Sequence, residues 1–199
     1  EYDEERGSYA CGNPKLPPPP AVMFAAPDLN VTAWFEAVKS AGATYALLTA
    51  QAGCGFLLYP SNSTLPDGTP YNYTVRESKY KGDLVGEFVA GAREAGLKVG
   101  VYCVVNNNYF LSVGNGKVAP MTAPGQVVVT QAQCNNLVLA QLKELWSQYG
   151  DLVVLWFDGG VPDGLSPSTA SLVNTLQPHA ATFQSPPGVR LQRVDEASS

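Results

Sequence analysis

The segment DLVVLWFDGG, Asp151 to Gly160, constrains the fold more than any other part of the chain. Its six consecutive apolar residues, Leu152 to Phe157, stand between Gly150 and the pair Gly159-Gly160. Such a run reads as a fully buried strand of a parallel sheet. Asp158 closes it. A carboxylate at that point has to be hydrated, paired or used.

The same kind of signal recurs along the chain. Tyr45–Thr49 (YALLT) and Leu97–Val105 (LKVGVYCVV) are predicted strands, and Ala181–Gln184 and Val189–Val194 are weaker candidates. Helical patterns lie between them. Trp34, Val38 and Ala41 fall at helical spacing before Gly42, and Leu84, Val85, Phe88, Val89 and Ala92 form a stripe closed by Gly96. Thr130 and Gln133 make a capping box for a helix whose apolar face is Val138, Leu142, Leu145 and Tyr149. A shorter helix, capped by Ser168 and ended by Pro178, turns Leu172, Val173 and Leu176 inward. Residues 1–30 carry no periodic apolar pattern and include Pro17 to Pro20, so they read as an irregular arm, leaving 31–199 as the folded domain.

Strands joined through helices become parallel neighbours, in a doubly wound sheet or a (β/α)8 barrel. No G-x-G-x-x-G follows any strand, as a dinucleotide fold would require. A barrel takes about 250 residues, so a chain of 199 falls short by a few strands. The expected fold is therefore α/β, of the (β/α)8 TIM-barrel type, incomplete, with the first strand and the last strands not evident.

Charge narrows the partners. A net charge of −5 with 12 Lys plus Arg argues against nucleic acid and anionic membranes. No apolar run approaches the roughly 20 residues of a membrane helix. The chain opens on Glu1 without a Met, which fits removal of a leader. Three N-x-S/T sequons, at Asn30, Asn62 and Asn72, point to a secreted, extracellular or vacuolar/lysosomal glycoprotein. Cys11, Cys54, Cys103 and Cys134 are too scattered for a zinc framework, and neither metal nor cofactor is expected.

In a barrel the active site lies where the strands end, on the C-terminal face. Asp158 stands at such an end, where a rigid carboxylate can attack the anomeric carbon of a sugar; the plainer reading of Asp-Gly is a turn. Three blocks bear on the choice: AWFEAVKSAGATYALLTAQAGCGFLLYPS (33–61), KGDLVGEFVAGAREAGLKVGVYCVV (81–105) and QLKELWSQYGDLVVLWFDGG (141–160). In order and spacing they resemble the α-L-fucosidases of glycoside hydrolase family 29. The resemblance implies a (β/α)8 catalytic domain and retaining hydrolysis of terminal α-L-fucose from glycans, with no cofactor. It makes Asp158 the nucleophile, Trp156 and Tyr102 walls of the sugar site, and Arg190 a sugar-contacting arginine.

The departures matter as much. Family members read TAKHHDGF where this chain has TAQAGCGF, so Ala52 and Gly53 replace the paired histidines that hold the fucose hydroxyls. Tyr59 replaces a Trp, and nothing matches the first-strand histidine near HFG. A retaining glycosidase needs a second carboxyl about 5–5.5 Å from the first. The family's acid segment corresponds to RLQRVDEASS, which offers Glu196 or Asp195. Reduced fucoside turnover is therefore expected, with a glycan-binding or structural glycoprotein of fucosidase type as the alternative. A further expectation is that Cys54 and Cys103, near adjacent strand ends, pair with each other if either forms a disulfide.

Overall fold

The computed structural model of the chain describes residues 17–189, together with short strands at Tyr2–Asp3 and Ser8–Tyr9 that pair antiparallel. Four longer strands form the central sheet: β1 (Tyr45–Gln51), β2 (Lys98–Cys103), β3 (Val154–Phe157) and β4 (Ala181–Phe183). They lie side by side in chain order, and every neighbouring pair is parallel. A doubly wound sheet reverses its strand order at a switch point. This sheet does not reverse. It is an arc of a (β/α)8 barrel, and the three strongest sequence-predicted strands are neighbours in the expected order.

Helix α1 (Val31–Ser40) precedes β1, and α2 (Leu84–Glu94), α3 (Gln131–Gln148) and α4 (Ser166–Leu176) make the crossovers. Three of the four begin on a side chain that satisfies a free backbone N–H. Asn30 accepts from Ala33 N at 2.9 Å, Asp83 from Gly86 N at 2.9 Å, and Thr130 with Gln133 completes the predicted capping box. The fourth differs from expectation. α4 starts at Ser166 without a side-chain cap, and Pro167 rather than Ser168 sets its first turn. Proline fits there because that turn has no N–H partner to lose.

The phase of α1 also differs from the sequence reading. Phe35 is buried, its ring 5.0 Å from that of Phe88 on α2, whereas Trp34 is 40% exposed. Val31 and Val38 pack with Phe35, so the inward stripe runs 31, 35, 38. Both phases repeat at helical spacing, and only the position of α2 separates them.

One face of the sheet is thoroughly buried. Val99, Val101 and Cys103 of β2 and Leu155 and Phe157 of β3 share a core with Val85, Phe88, Val89 and Ala92 of α2 and Val138, Leu142 and Leu145 of α3. Trp146 of α3 meets Phe157 edge-on at 5.7 Å. Alternate residues point the other way, where Trp156 is 42% and Phe183 55% exposed. The expected strand buried on both faces is thus corrected at Trp156, because helices cover only one side of β3 among the described residues.

On that second face the register aligns Leu47, Gly100, Val154 and Ala181 in one row. A Cβ built on Gly100 would lie 2.8 Å from Val154 Cβ and 2.9 Å from Leu47 Cγ. Glycine lets the flanking side chains close over β2 and the arc curl. Gly100→Ala should overpack this row and cost about 1–3 kcal/mol. A melt monitored by circular dichroism would show a Tm lower by several degrees, and an unchanged Tm would contradict the packing account.

Candidate active site

Asp158 follows β3 directly, and its N–H donates to the Cys103 carbonyl at 3.1 Å, locking the end of β3 to that of β2. Its half-buried carboxylate accepts a hydrogen bond at Oδ2 from the Tyr102 hydroxyl. Tyr102 shares a row with Thr49, Trp156 and Phe183, one residue from each strand. The Tyr102 and Trp156 rings meet edge-on at 5.3 Å, and Trp156 lies 6.0 Å from Phe183. The structure therefore brings Asp158, Tyr102 and Trp156 together at the C-terminal ends of β2 and β3. Arg190, Asp195 and Glu196 lie outside the described residues, as does most of the weak strand 189–194.

The turn behind Asp158 requires glycine. Gly159 has φ +78°, and a Cβ there would fall 2.3 Å from Asn106 Nδ2. That amide donates to the Gly159 carbonyl at 2.7 Å, while Gly159 N donates to Gln184 Oε1 at 2.9 Å. Asn107 Nδ2 in turn donates to Asn106 Oδ1 at 3.1 Å. The backbone after the carboxylate is thereby held from both neighbouring strands. Sequence reasoning missed Asn106 and Gln184. The available signals were three asparagines just past β2 and a polar residue just past β4. Gln184 itself holds a left-handed conformation, φ +51°, that a non-glycine residue adopts at a cost.

Burial, and then the hydrogen bond and charge of Asp158, push the Tyr102 hydroxyl up to about 12 from its ordinary value of 10. The folded value exceeds the unfolded one, so the protonated phenol is the form the fold favours. Its stabilising contribution is complete below pH 10 and is lost as pH rises through about 12. Tyr102 therefore remains a donor to Asp158 throughout the neutral range. In a titration of tyrosinate absorbance, Tyr102→Phe should lose one phenol ionising near pH 12 and leave the earlier ones unchanged. Loss of an early phenol instead would refute this environment.

The loop after β1 carries the departures from the family motif. Gln51 is buried, and its carbonyl accepts from Val104 N at 3.0 Å. Ala52 is exposed, and the Gly53 carbonyl accepts from Tyr109 N at 2.9 Å. Cys54 is disulfide-bonded, yet Cys103 is a free, buried thiol. The pairing expected between these two is thus corrected. Cys103 is in register with Gln51, three residues before Cys54, which has already left the sheet in a turn. Tyr59, standing where the family has tryptophan, is 1% exposed and donates to the Gln141 carbonyl at 3.1 Å. It belongs to the core. Among the described residues no group of three His, Cys, Asp or Glu is placed to hold a metal, and no helix is long and apolar enough to cross a membrane.

Parallel strands laid down in chain order, with a carboxylate at one strand end beside exposed aromatic rings, mark a (β/α)8-type barrel with a candidate site on its C-terminal face. The chain belongs to the alpha-L-fucosidase family, whose profile matches residues 18–190. It is 29% identical over 170 residues to Alpha-L-fucosidase 1 of Arabidopsis thaliana, covering 81% of this chain and 29% of that protein. The chain thus spans less than a third of the relative's length. A crystal structure of a Bacteroides thetaiotaomicron protein assigned as an alpha-L-fucosidase superposes with TM-score 0.71 at 29% identity, over 93% of this chain and 40% of that one. The alpha-L-fucosidase AlfC from Lactobacillus casei, solved with its α-L-fucose product, has TM-score 0.66 at 22% identity, over 81% of this chain and 53% of that one, and shows the shared fold.

Proposed function

We propose that this chain carries the nucleophile side of a retaining α-L-fucosidase site. The observation that carries the reading is the Asp158 carboxylate, fixed at a strand end by the Tyr102 hydroxyl and walled by Trp156. One carboxylate oxygen attacks the anomeric carbon of a terminal α-L-fucose, and the bond to the aglycone oxygen breaks. That oxygen takes a proton from the general acid, for which Glu196 is the candidate. Water then hydrolyses the fucosyl ester. Arg190 is proposed as a further sugar contact, and the substrate is a fucosylated glycan or oligosaccharide.

The test is a 2-deoxy-2-fluoro-α-L-fucosyl fluoride trap, whose fluoride leaves without acid assistance. A fluorofucosyl adduct on the peptide bearing Asp158 is the expected result. Binding of fucosylated glycan with no adduct would favour the glycan-binding alternative, toward which Ala52 and Gly53 point. An adduct on another residue would remove Asp158 from the role.

We also propose that the protein is a secreted, extracellular or vacuolar/lysosomal glycoprotein modified at Asn30, Asn62 and Asn72. All three asparagines are exposed, and the disulfide at Cys54 agrees with an oxidising compartment. Material from a eukaryotic secretory host should lose mass on enzymatic deglycosylation. Glutamine substitution at all three sites should abolish that loss, and an unchanged mass in the parent protein would refute the assignment.

A further inference from the structure

A groove of ≈ 530 Å³ runs between the loop after β1 and one side of α3, and it shares no residue with the candidate active site. Gln133, Asn136, Leu137, Ala140, Lys143 and Glu144 follow one another at steps that keep them on a single helical face. The segment Asn62 to Pro66 forms the opposite wall. Leu65 and Leu137 are buried and make an apolar floor, while Asn62, Thr64, Asn136 and Lys143 are exposed along the sides.

The opposite wall is pinned to the helix. Glu144 Oε2 accepts from Ser61 Oγ at 2.5 Å, and its Oε1 accepts from Asn62 N at 2.9 Å. Gln141 Nε2 donates to Ser63 Oγ at 3.3 Å. Arg76 Nη2 donates to Asn62 Oδ1 at 3.2 Å, which orients the side-chain amide. Asn62 thus has a fixed place in the wall, and it opens the sequon Asn62-Ser63-Thr64.

An N-linked glycan is joined through the asparagine Nδ2. The transfer forms the bond from Nδ2 to C1 of N-acetylglucosamine; a lipid-linked diphosphate leaves, and Nδ2 gives up one proton. That first sugar carries C–H groups and an acetamide methyl on its faces, with hydroxyls and an amide around its edge. An apolar floor bordered by polar side chains suits both parts, and the Asn136 amide and Lys143 ammonium can donate to sugar oxygens. The tether makes docking intramolecular, at an effective concentration of roughly millimolar, so a few weak contacts suffice. We propose that this groove seats the core of the glycan carried by Asn62, which lies over Leu65 and Leu137 and clips the loop after β1 to α3. The proposal rests on the glycoprotein reading above.

The experiment treats the folded protein from a eukaryotic secretory host with peptide-N-glycosidase and follows release at each sequon by peptide mass. A docked core is exposed to the enzyme only in its undocked fraction, so Asn62 should be cleared at least about tenfold more slowly than Asn30 and Asn72. Ala140→Trp fills the groove, and Asn136→Ala with Lys143→Ala removes its donors; circular dichroism checks both folds. Each folded variant should bring the Asn62 rate to that of the other two sites. Ala140→Trp should also lower the Tm of the glycosylated protein more than that of the Asn62→Gln protein. Equal release at the three sites, a slow Asn62 rate that both variants leave unchanged, or a bare Asn62 beside glycosylated Asn30 and Asn72 would overturn the groove assignment and leave the secretory reading in place. Absence of glycan at all three sites would overturn the secretory reading, and the groove assignment with it.

Discussion

Asp158→Ala should reduce turnover of a dinitrophenyl α-L-fucoside to the uncatalysed background, and added azide should restore consumption of the substrate. Removing the nucleophile of a covalent mechanism costs on the order of 10⁴–10⁶-fold in kcat. Alanine leaves a gap beside Tyr102 and Trp156 that a small anion can enter. Azide then attacks the anomeric carbon from the side Asp158 occupied, a C–N bond forms, and dinitrophenolate departs. Because no second displacement follows, the product is the β-L-fucosyl azide. The dinitrophenolate needs no proton to leave, so the result does not depend on the acid candidate Glu196. Formation of the α-azide, or a variant as active as the parent, would contradict the role of Asp158. The turn cannot be blamed for a loss, since Gly159 and its bonds to Asn106 and Gln184 do not involve the carboxylate.

The position of Asp158 was legible in sequence because a strand end is a local signal. An apolar run stops, glycines follow, and a charged residue stands between them. Tyr102 and Trp156 came from the resemblance of the family blocks alone, since the local pattern placed Trp156 inside a buried strand. Asn106 and Gln184 were not. Their roles arise from hydrogen bonds across 53 and 25 residues of chain, respectively, which no local pattern encodes. The phase of α1 failed for a related reason: Trp34 and Phe35 are both large and apolar, and only the place of Phe88 decides which one turns inward. Cys54 and Cys103 were misread because nearness of strand ends says nothing about the turn that carries Cys54 off the sheet. Local chemistry thus located the carboxylate, and tertiary geometry supplied what holds it.

The second large effect is a gain. Ala52→His combined with Gly53→His should raise affinity for L-fucose. Two restored hydrogen bonds to sugar hydroxyls contribute roughly 1–3 kcal/mol together, or about 5–150-fold in Kd. The backbone admits both side chains. Ala52 is exposed, and Gly53 is not among the glycines with positive φ. A Cβ on Gly53 would meet Asn107 Cβ at 3.7 Å and Val104 Cγ1 at 3.9 Å, ordinary contact distances. Calorimetry with L-fucose on parent and variant measures the gain. If the folded variant binds L-fucose no better than the parent, the loop after β1 does not face the sugar, and the weak turnover expected of the parent has a cause other than Ala52 and Gly53.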